Sequence, residues 1–133
     1  MSEYGGPARL PGIVTVETWN PEYRLARVAL AEVPPVFAEV PAEASLGMTL
    51  DDGADDCVIV TVERDFSTVT LLRDRTFYNL RISPDEEAVA LVIAGEETTW
   101  SRGCLLPRSW GADVLAGAAD RQALWAAHTW VEQ

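Results

Sequence analysis

The chain has 133 residues, the size of one domain, with 21 acidic residues against 10 basic ones, all of them Arg. Its formal net charge of −11 repels phosphate backbones and anionic lipid headgroups. Nucleic acids and membrane surfaces are therefore poor partners, and a basic protein is a good one. Apolar residues make up 48% of the chain and charged residues 23%, which indicates a folded domain rather than a disordered chain.

The chain is expected to be a cytoplasmic protein. The first twelve residues contain Gly, Pro and an acid but no apolar run of the kind found in a secretory signal. They predict a flexible tail at 1–12, followed by a single domain at 13–133. The longest apolar runs, such as Ala88–Ala94, are too short to span a bilayer. Cys57 and Cys104 are expected to be free thiols, because disulfides are rare in chains that are not exported.

The N-terminal part predicts one strand and one helix. Ile13–Glu17 alternates β-branched residues, which favours a strand. Asn20-Pro21-Glu22 combines a capping residue, a first-turn proline and an acid, which is typical of a helix start. This helix is expected to end near Glu32, because the residue before a proline avoids the helical region and Pro34-Pro35 follows. Val36–Val40 is then expected to be extended at a sheet edge or strand end.

The middle of the chain predicts strand after strand. Segments rich in β-branched residues recur at a spacing of about ten residues with charged turns between them, which is typical of an antiparallel meander. Ser83-Pro84-Asp85-Glu86 has the spacing of a helix capping box, yet the next residues include valines and an isoleucine that favour a strand, and the strand is the preferred interpretation. The predicted strands are Leu46–Leu50, Cys57–Val62, Thr68–Leu72, Thr76–Ile82, Ala88–Ala94 and Glu97–Ser101.

The C-terminal part returns to helical spacing. Apolar residues recur at that spacing over Arg108–Ala119, with Ser109 as a candidate cap, and Arg121–Ala127 continues as a short helix or a bent extension. Trp110 is expected in the core, and His128–Glu132 is expected to be a strand. The sequence thus predicts an α+β fold: a mainly antiparallel sheet of about six to eight strands in a meander, with one N-terminal and one C-terminal helix packed on it.

The sequence contains three acidic clusters, and the first two are the candidate contact surface. The loop at 51–56 contains Asp51, Asp52, Asp55 and Asp56, but it lacks the ligand spacing of an EF-hand. It is therefore interpreted as a solvated hairpin loop that could also dock a basic partner. Asp85, Glu86 and Glu87 form a second acidic turn, and Glu96-Glu97 a third. The sequence leaves open whether the loop at 51–56 and the turn at 95–97 lie at the same end of the sheet.

The remaining candidates give little support to catalysis. His128 is the only imidazole, and nothing in the sequence brings it to Cys104 and Asp113. The isolated glycines lack the spacing of a phosphate-binding loop. No catalytic, metal or cofactor residue is predicted. Trp100, at the end of a predicted strand, is a candidate interface anchor, because Trp is enriched at the centre of protein interfaces.

The chain resembles the Imm1 family of bacterial immunity proteins, which accompany polymorphic secreted toxins that are often nucleic-acid deaminases. The resemblance rests on an early short helix that leads into Pro-Pro-Val-Phe-Ala-Glu-Val at 34–40, a run of antiparallel strands, Leu105-Leu106-Pro107-Arg108 before a C-terminal helix, and the ending Thr129–Gln133. It covers roughly 13–133 and implies a cytoplasmic antidote that blocks a toxin by tight binding. An acidic surface agrees with this role, because it steers a basic domain into contact.

These observations predict a non-enzymatic, acidic immunity protein that neutralises a cognate basic toxin domain by occluding its active site, with no small-molecule partner. One alternative is a small ligand-binding or enzymatic barrel with an apolar pocket, which predicts an enclosed cavity and a perturbed titratable group. Another is a subunit of a larger assembly, which predicts an exposed apolar patch or an oligomer. The predicted contact residues are Asp51, Asp52, Asp55, Asp56, Asp85, Glu86, Glu87 and Trp100.

Overall fold

The computed structural model describes residues 12–19, 22–51, 56–93 and 95–133. Seven of the strands in this part of the chain form one open antiparallel sheet in the order β9-β6-β5-β4-β3-β1-β2, and β7 and β8 form a separate hairpin. The strands are β1 Ile13–Thr18, β2 Arg24–Ala29, β3 Leu46–Asp51, β4 Cys57–Val62, β5 Ser67–Arg73, β6 Thr76–Arg81, β7 Ala88–Ile93, β8 Glu96–Ser101 and β9 Thr129–Glu132.

Three short helices accompany the sheet: α1 Val33–Ala38, α2 Trp110–Ala116 and α3 Arg121–Ala127. α1 packs against α2, and α2 packs against β4 and β5. A single 3₁₀ turn at Leu30–Glu32 joins β2 to α1, and another at Arg102–Cys104 comes directly after β8. The helices therefore supply the second layer of the core, as an antiparallel sheet with one apolar face requires.

The core follows the two-residue period of the strands. In β4, Val58, Val60 and Val62 are fully buried, and the residues between them are only half-buried. Successive side chains of a strand point to opposite faces, so the buried residues mark the face that the helices cover. The other members of this core cluster are Val14, Val16, Val33, Leu46, Met48, Leu50, Val69, Leu71, Leu80, Leu106, Ala112, Leu115, Ala118 and Leu124.

The predicted strand pattern is confirmed in the described residues. Cys57–Val62 has the predicted bounds, and the other predicted strands from 46 to 101 differ by one or two residues at their ends. The segment after the acidic turn at 85–87 is a strand and not a helix, and Ala94, its predicted last residue, lies outside the described residues. The meander covers only β3 to β6, because β7 and β8 leave the sheet and β9 returns to its edge.

The helix predicted from Asn20 to Glu32 is wrong. Its centre is β2, which pairs along its whole length with β1. Leu25 is 51% exposed, whereas Val28 packs against the core. The short-range pattern fits either element, and the pairing with β1 selects the strand. The predicted cap, Asn20-Pro21, lies outside the described residues.

The prolines that were expected to end a helix lie inside one. Pro34 and Pro35 stand in the first turn of α1, so the prediction that Val36–Val40 is extended is wrong for most of that segment. The first N–H groups of a helix have no carbonyl to bond, so a proline there costs no hydrogen bond, and its ring fixes a helical φ. The resulting helix is only six residues long and is anchored in the core by Val33.

The single C-terminal helix of the predicted fold is two helices in the structure. α2 is shorter than the predicted Arg108–Ala119, and α3 is a separate helix whose first turn is capped by Asp120. Ser109 occupies the cap position of α2 but makes no side-chain capping bond there. Trp110 is 47% exposed, so its predicted place in the core is wrong. Trp125 instead stacks on Trp130, with ring centres 5.9 Å apart.

The turn between β5 and β6 contains two residues in a strained backbone conformation, and replacing both should stabilise the protein. Asp74 and Arg75 both have positive φ, 50° and 67°. Two-residue hairpin turns of this type favour Asn-Gly, because L-residues other than Gly pay roughly 1 kcal/mol each in the left-handed region. We expect Asp74→Asn with Arg75→Gly to raise the free energy of unfolding by about 1 kcal/mol in urea denaturation.

The turn between β4 and β5 offers the matched control. Arg64 and Asp65 carry the same two side chains in reverse order, and neither has a positive φ. Arg64→Gly with Asp65→Asn makes the same chemical change without relieving strain, so it should leave stability unchanged or lower it. An equal gain in the free energy of unfolding at both turns would contradict the explanation that Asp74 and Arg75 are strained.

Candidate partner-binding surface

The acidic loop at 51–56 connects two central strands, as predicted. Asp51 ends β3 and is exposed, and Asp56, half-buried, precedes β4. Asp52 and Asp55 lie outside the described residues. Asp51 pairs with Cys57, and the row continues through Leu72 to Phe77 at the start of β6. Asp51 and Asp56 therefore stand at the end of the sheet where β6 begins.

The second acidic turn stands at the opposite end of the sheet. β6 ends at Arg81, which lies four residues after Phe77 and therefore roughly 14 Å from it at 3.4 Å per residue. Asp85, Glu86 and Glu87 follow this end of the strand. The predicted contact residues therefore do not form one patch. The sequence could not decide this, because strand pairing alone fixes which turns share an end.

Two arginines partly balance the acidic turn. Arg102 Nη2 lies 2.9 Å from Glu87 Oε1 and Arg102 Nε 3.9 Å from Asp85 Oδ2, and Arg81 lies 3.9 Å from Glu86. The backbone holds the same contact, because Arg102 N–H donates to the Glu87 carbonyl over 2.8 Å. These pairs are solvent-exposed and worth at most about 1 kcal/mol each. They fix the shape of the turn more than they stabilise the fold.

The hairpin of β7 and β8 begins immediately after this turn. β7 consists of six uncharged apolar residues, and none of them is fully buried. Ala88, Ala90 and Val92 lie on its exposed face, with Val92 57% exposed. The intervening residues are half-buried, and Gly95, with a φ of 86°, closes the turn into β8. The sequence identifies this strand but does not assign it to the contact surface.

Trp100 lies on this hairpin, on the strand nearer the sheet. It pairs with Val89 and is half-buried. With its β8 neighbours it lines a cleft of about 400 Å³, whose other wall includes Asn79 and Val131. β7 contributes nothing to that cleft, so β8 faces the sheet and β7 is the outer strand. Trp100 and the turn at 85–87 thus lie in the hairpin and the segment directly before it, and Asp51 and Asp56 do not.

The side chains at this cleft form a small polar network. Asn79 Oδ1 accepts hydrogen bonds from Thr70 Oγ1 and from Gln133 Nε2, each 2.9 Å long. Asn79 and Thr70 belong to a row of paired residues that crosses the sheet on the face opposite the helices. A second threonine of β5, Thr68, is buried on the same face. The sequence signal for this face is the alternation of threonine with valine in β4 and β5. The row runs Val131, Asn79, Thr70, Ile59, Thr49, Thr15 and Arg27.

The reactive side chains are not gathered into one site. Cys57 and Cys104 are free thiols, and burial raises the pKa of each above its ordinary value, which disfavours the reactive thiolate at neutral pH. His128 is exposed and meets the Trp130 ring edge-on. Within the described ranges no group of three or more His, Cys, Asp or Glu is placed to hold a metal ion. In the same ranges no helix has the length and apolar character needed to cross a membrane.

Comparison with protein-family models finds no match, and comparisons with curated proteins and with solved structures find no significant similarity. The surface itself is therefore the basis for assigning a function. The distinctive features of this surface are its negative charge, the apolar outer strand β7 and the acidic turns at both ends of that strand.

Proposed function

We propose that this protein is a non-enzymatic, acidic binding protein of the bacterial cytoplasm that neutralises a cognate basic toxin domain by covering its active site. One observation carries the proposal: the apolar strand β7 is exposed on a chain of net charge −11, with acidic residues near both of its ends. An exposed apolar element rimmed by charge is typical of a protein-binding surface.

The charge supports a fast, steered association. A field of one sign raises the rate at which an oppositely charged protein reaches its docking site, and a toxin that acts on nucleic acid has a basic surface. The resemblance to immunity proteins leads to the same class of partner. A nucleic-acid deaminase is the toxin activity that this resemblance suggests.

The test is capture followed by neutralisation. The tagged full-length chain is used to capture proteins from its native host at low and at high salt, and a captured basic protein is then expressed with and without the chain. We expect a stoichiometric complex that salt weakens, and rescue of growth or loss of the toxin's activity in the presence of the chain. A captured protein whose activity is unchanged in the complex would overturn the proposal.

The acidic loop predicts a change in association rate. Reversal of Asp51, Asp52, Asp55 and Asp56 to Lys is expected to slow association with the captured partner about tenfold at low salt and to reduce its salt dependence. The dissociation rate should change little, because Asp51 and Asp56 stand at the end of the sheet away from the base of the hairpin, where charges act through their field. Stopped-flow or surface-based kinetics at several salt concentrations measures both rates.

The matched control keeps the charge and changes only the side-chain length. Replacing the same four aspartates with Glu preserves the net charge and should leave the association rate and its salt slope unchanged. If charge reversal leaves the kinetics at the wild-type values, the loop takes no part in steering.

A further inference from the structure

Resting on the proposed function, we propose that β7 is the edge onto which a basic protein partner adds an extended segment as a third strand. In this binding mode, main-chain hydrogen bonds supply affinity, and the side chains that flank the new strand supply specificity. The proposal concerns where and how the partner binds, so it can fail while the proposed function stands.

β7 is the unprotected edge of the described fold. Proteins protect free strand edges with charges, short strands or covering elements. At one edge of the main sheet, β2 carries Arg24 and Arg27, and at the other β9 has only four residues. β8 lies against the cleft that faces Asn79 and Val131. β7 has six residues, no charge and no proline, and no described strand pairs with its outer side.

The register indicates which main-chain groups of β7 a partner would meet. The hairpin closes at the pair Ile93 and Glu96, and the pair that flanks a two-residue turn is a hydrogen-bonded one. Hydrogen-bonded and non-hydrogen-bonded pairs alternate along an antiparallel ladder. The N–H and C=O groups of Ala88, Ala90 and Val92 therefore point away from β8, towards the position of an added strand.

The charges around β7 indicate which kind of partner would pair with this strand. The segment 85–102 contains five acidic residues and one Arg, with Asp85, Glu86 and Glu87 at the base of the hairpin and Glu96 and Glu97 at its tip. A second copy that paired antiparallel through β7 would place the base acids of each copy beside the tip acids of the other. Parallel pairing would place base against base. Like charges would meet in both arrangements, whereas a strand with basic flanks would be attracted at both ends.

A two-stranded hairpin by itself is marginal in water, and a third strand adds the pairing that it lacks. The apolar side chains of Ala90 and Val92 would gain cover from the same strand. The physical description of the occupant is therefore an extended segment with small or β-branched residues at its centre and Lys or Arg at its ends, presented by a basic protein.

The experiment uses nuclear magnetic resonance on the full chain with a defined probe. The probe is a synthetic peptide with a Val-Thr-Val-Thr-Val centre and two Lys at each end, and the control peptide has two Glu at each end. We expect the basic peptide to shift the hairpin resonances and to slow amide exchange at Ala90 and Val92 by at least about tenfold, because these N–H groups become hydrogen-bonded. The acidic peptide should do neither.

A pair of variants at one position isolates the main-chain contact. Ala90→Pro removes the outward N–H, whereas Ala90→Val keeps it and adds only side chain. We expect the Pro variant to weaken peptide binding at least about tenfold and the Val variant to leave it near the wild-type value. The cross-strand contact between Leu91 and Thr98 reports whether the hairpin of each variant is intact. If Ala90→Pro opens the hairpin, the exchange measurement on the wild-type chain decides the question.

The outcomes separate the two proposals. Three outcomes would overturn the edge proposal. The basic peptide could fail to bind, it could bind and protect amides elsewhere, or the chain could form a concentration-dependent dimer through β7. A toxin neutralised equally by the wild type and by Ala90→Pro would overturn the edge and leave the function standing. Protection of Ala90 and Val92 by the basic peptide, together with a captured partner whose activity is unaffected, would overturn the function and leave the edge standing.

Discussion

Replacement of Gly103 by Ala is expected to lower the free energy of unfolding by about 3 kcal/mol, because the site has no room for a methyl group. A Cβ placed on Gly103 would lie 2.2 Å from the Ser83 carbonyl oxygen and 2.9 Å from that of Asp85. Both neighbours are backbone, so the chain itself must move. Gly103 N–H donates to the Asp85 carbonyl over 2.8 Å, and the Gly103 carbonyl accepts from Ile82 N–H over 2.8 Å. These bonds lie in the segment that has to shift.

Gly117 provides the control for this substitution. The nearest atom to a Cβ there is the Val114 carbonyl oxygen at 3.8 Å, and its φ is −96°. Gly117→Ala should change stability by less than about 1 kcal/mol, since it meets no clash and restricts the unfolded chain. Urea denaturation followed by circular dichroism measures both variants. Equal losses at the two positions would show that the close contact at Gly103 does not limit stability.

Replacement of Arg108 by Met is expected to cost about 3 kcal/mol, because three backbone carbonyls lose a charged donor at once. The guanidinium donates to the carbonyls of Ala44 and Pro41, each over 3.1 Å, and makes a short contact with that of Glu63. It also lies over the Phe37 ring, 5.7 Å from its centre. Arg108 thus ties the segment after α1 to the end of β4. Burial lowers the pKa of Arg108 below its ordinary value, which agrees with a desolvated position.

Arg102 is the matched control, because the same Arg-to-Met change there removes a different kind of contact. Its side chain is 54% exposed, and its ion pairs are with the surface acids Asp85 and Glu87. Exposed pairs contribute at most about 1 kcal/mol, so Arg102→Met should cost no more than that. Arg108→Lys should fall between wild type and Arg108→Met, because a single ammonium cannot reach three carbonyls in the geometry of the planar guanidinium. Similar losses for the two Met variants would contradict this account.

Strands were the most predictable part of the fold. In Cys57–Val62 the sequence predicts the bounds, because β-branched residues fill the run and a turn precedes it. The pairing order was predictable only where short turns force neighbours together, from β3 to β6. The placement of β1 between β3 and β2, and of β9 beside β6, depends on contacts between distant parts of the chain.

The predicted strand Ile13–Glu17 is present as β1, but the helix predicted after it was wrong for a physical reason. Arg24–Ala29 has apolar residues at spacings that suit either period, and six residues are too few to separate them. Pairing with β1 along its whole length stabilises this segment as a strand, whereas a short isolated helix is marginal in water. Pro34-Pro35 was interpreted as a stop signal, although the same residues are compatible with a first turn. Local sequence permits both interpretations, and tertiary pairing selects one.

All predicted contact residues except Trp100 were identified by charge, and charge does not encode position. The sequence indicates that Asp51 and Asp85 are exposed turn residues, and both are exposed. It does not indicate that their turns lie at opposite ends of the sheet, or that Arg81 and Arg102 approach the second turn. The apolar strand at Ala88–Ile93 was predicted as a strand of the meander, and its exposure follows from its departure from the sheet.

By itself, the sequence determined the net charge of −11 and the strand pattern of residues 46–101. These properties depend on each residue and its near neighbours. The tertiary structure alone decided that Arg24–Ala29 is a strand, that Arg108 ties two segments together and that β7 remains outside the sheet with an open edge. Each of these depends on pairing between residues far apart in the chain, where the free energy of contact outweighs the weak local preference of a six-residue segment.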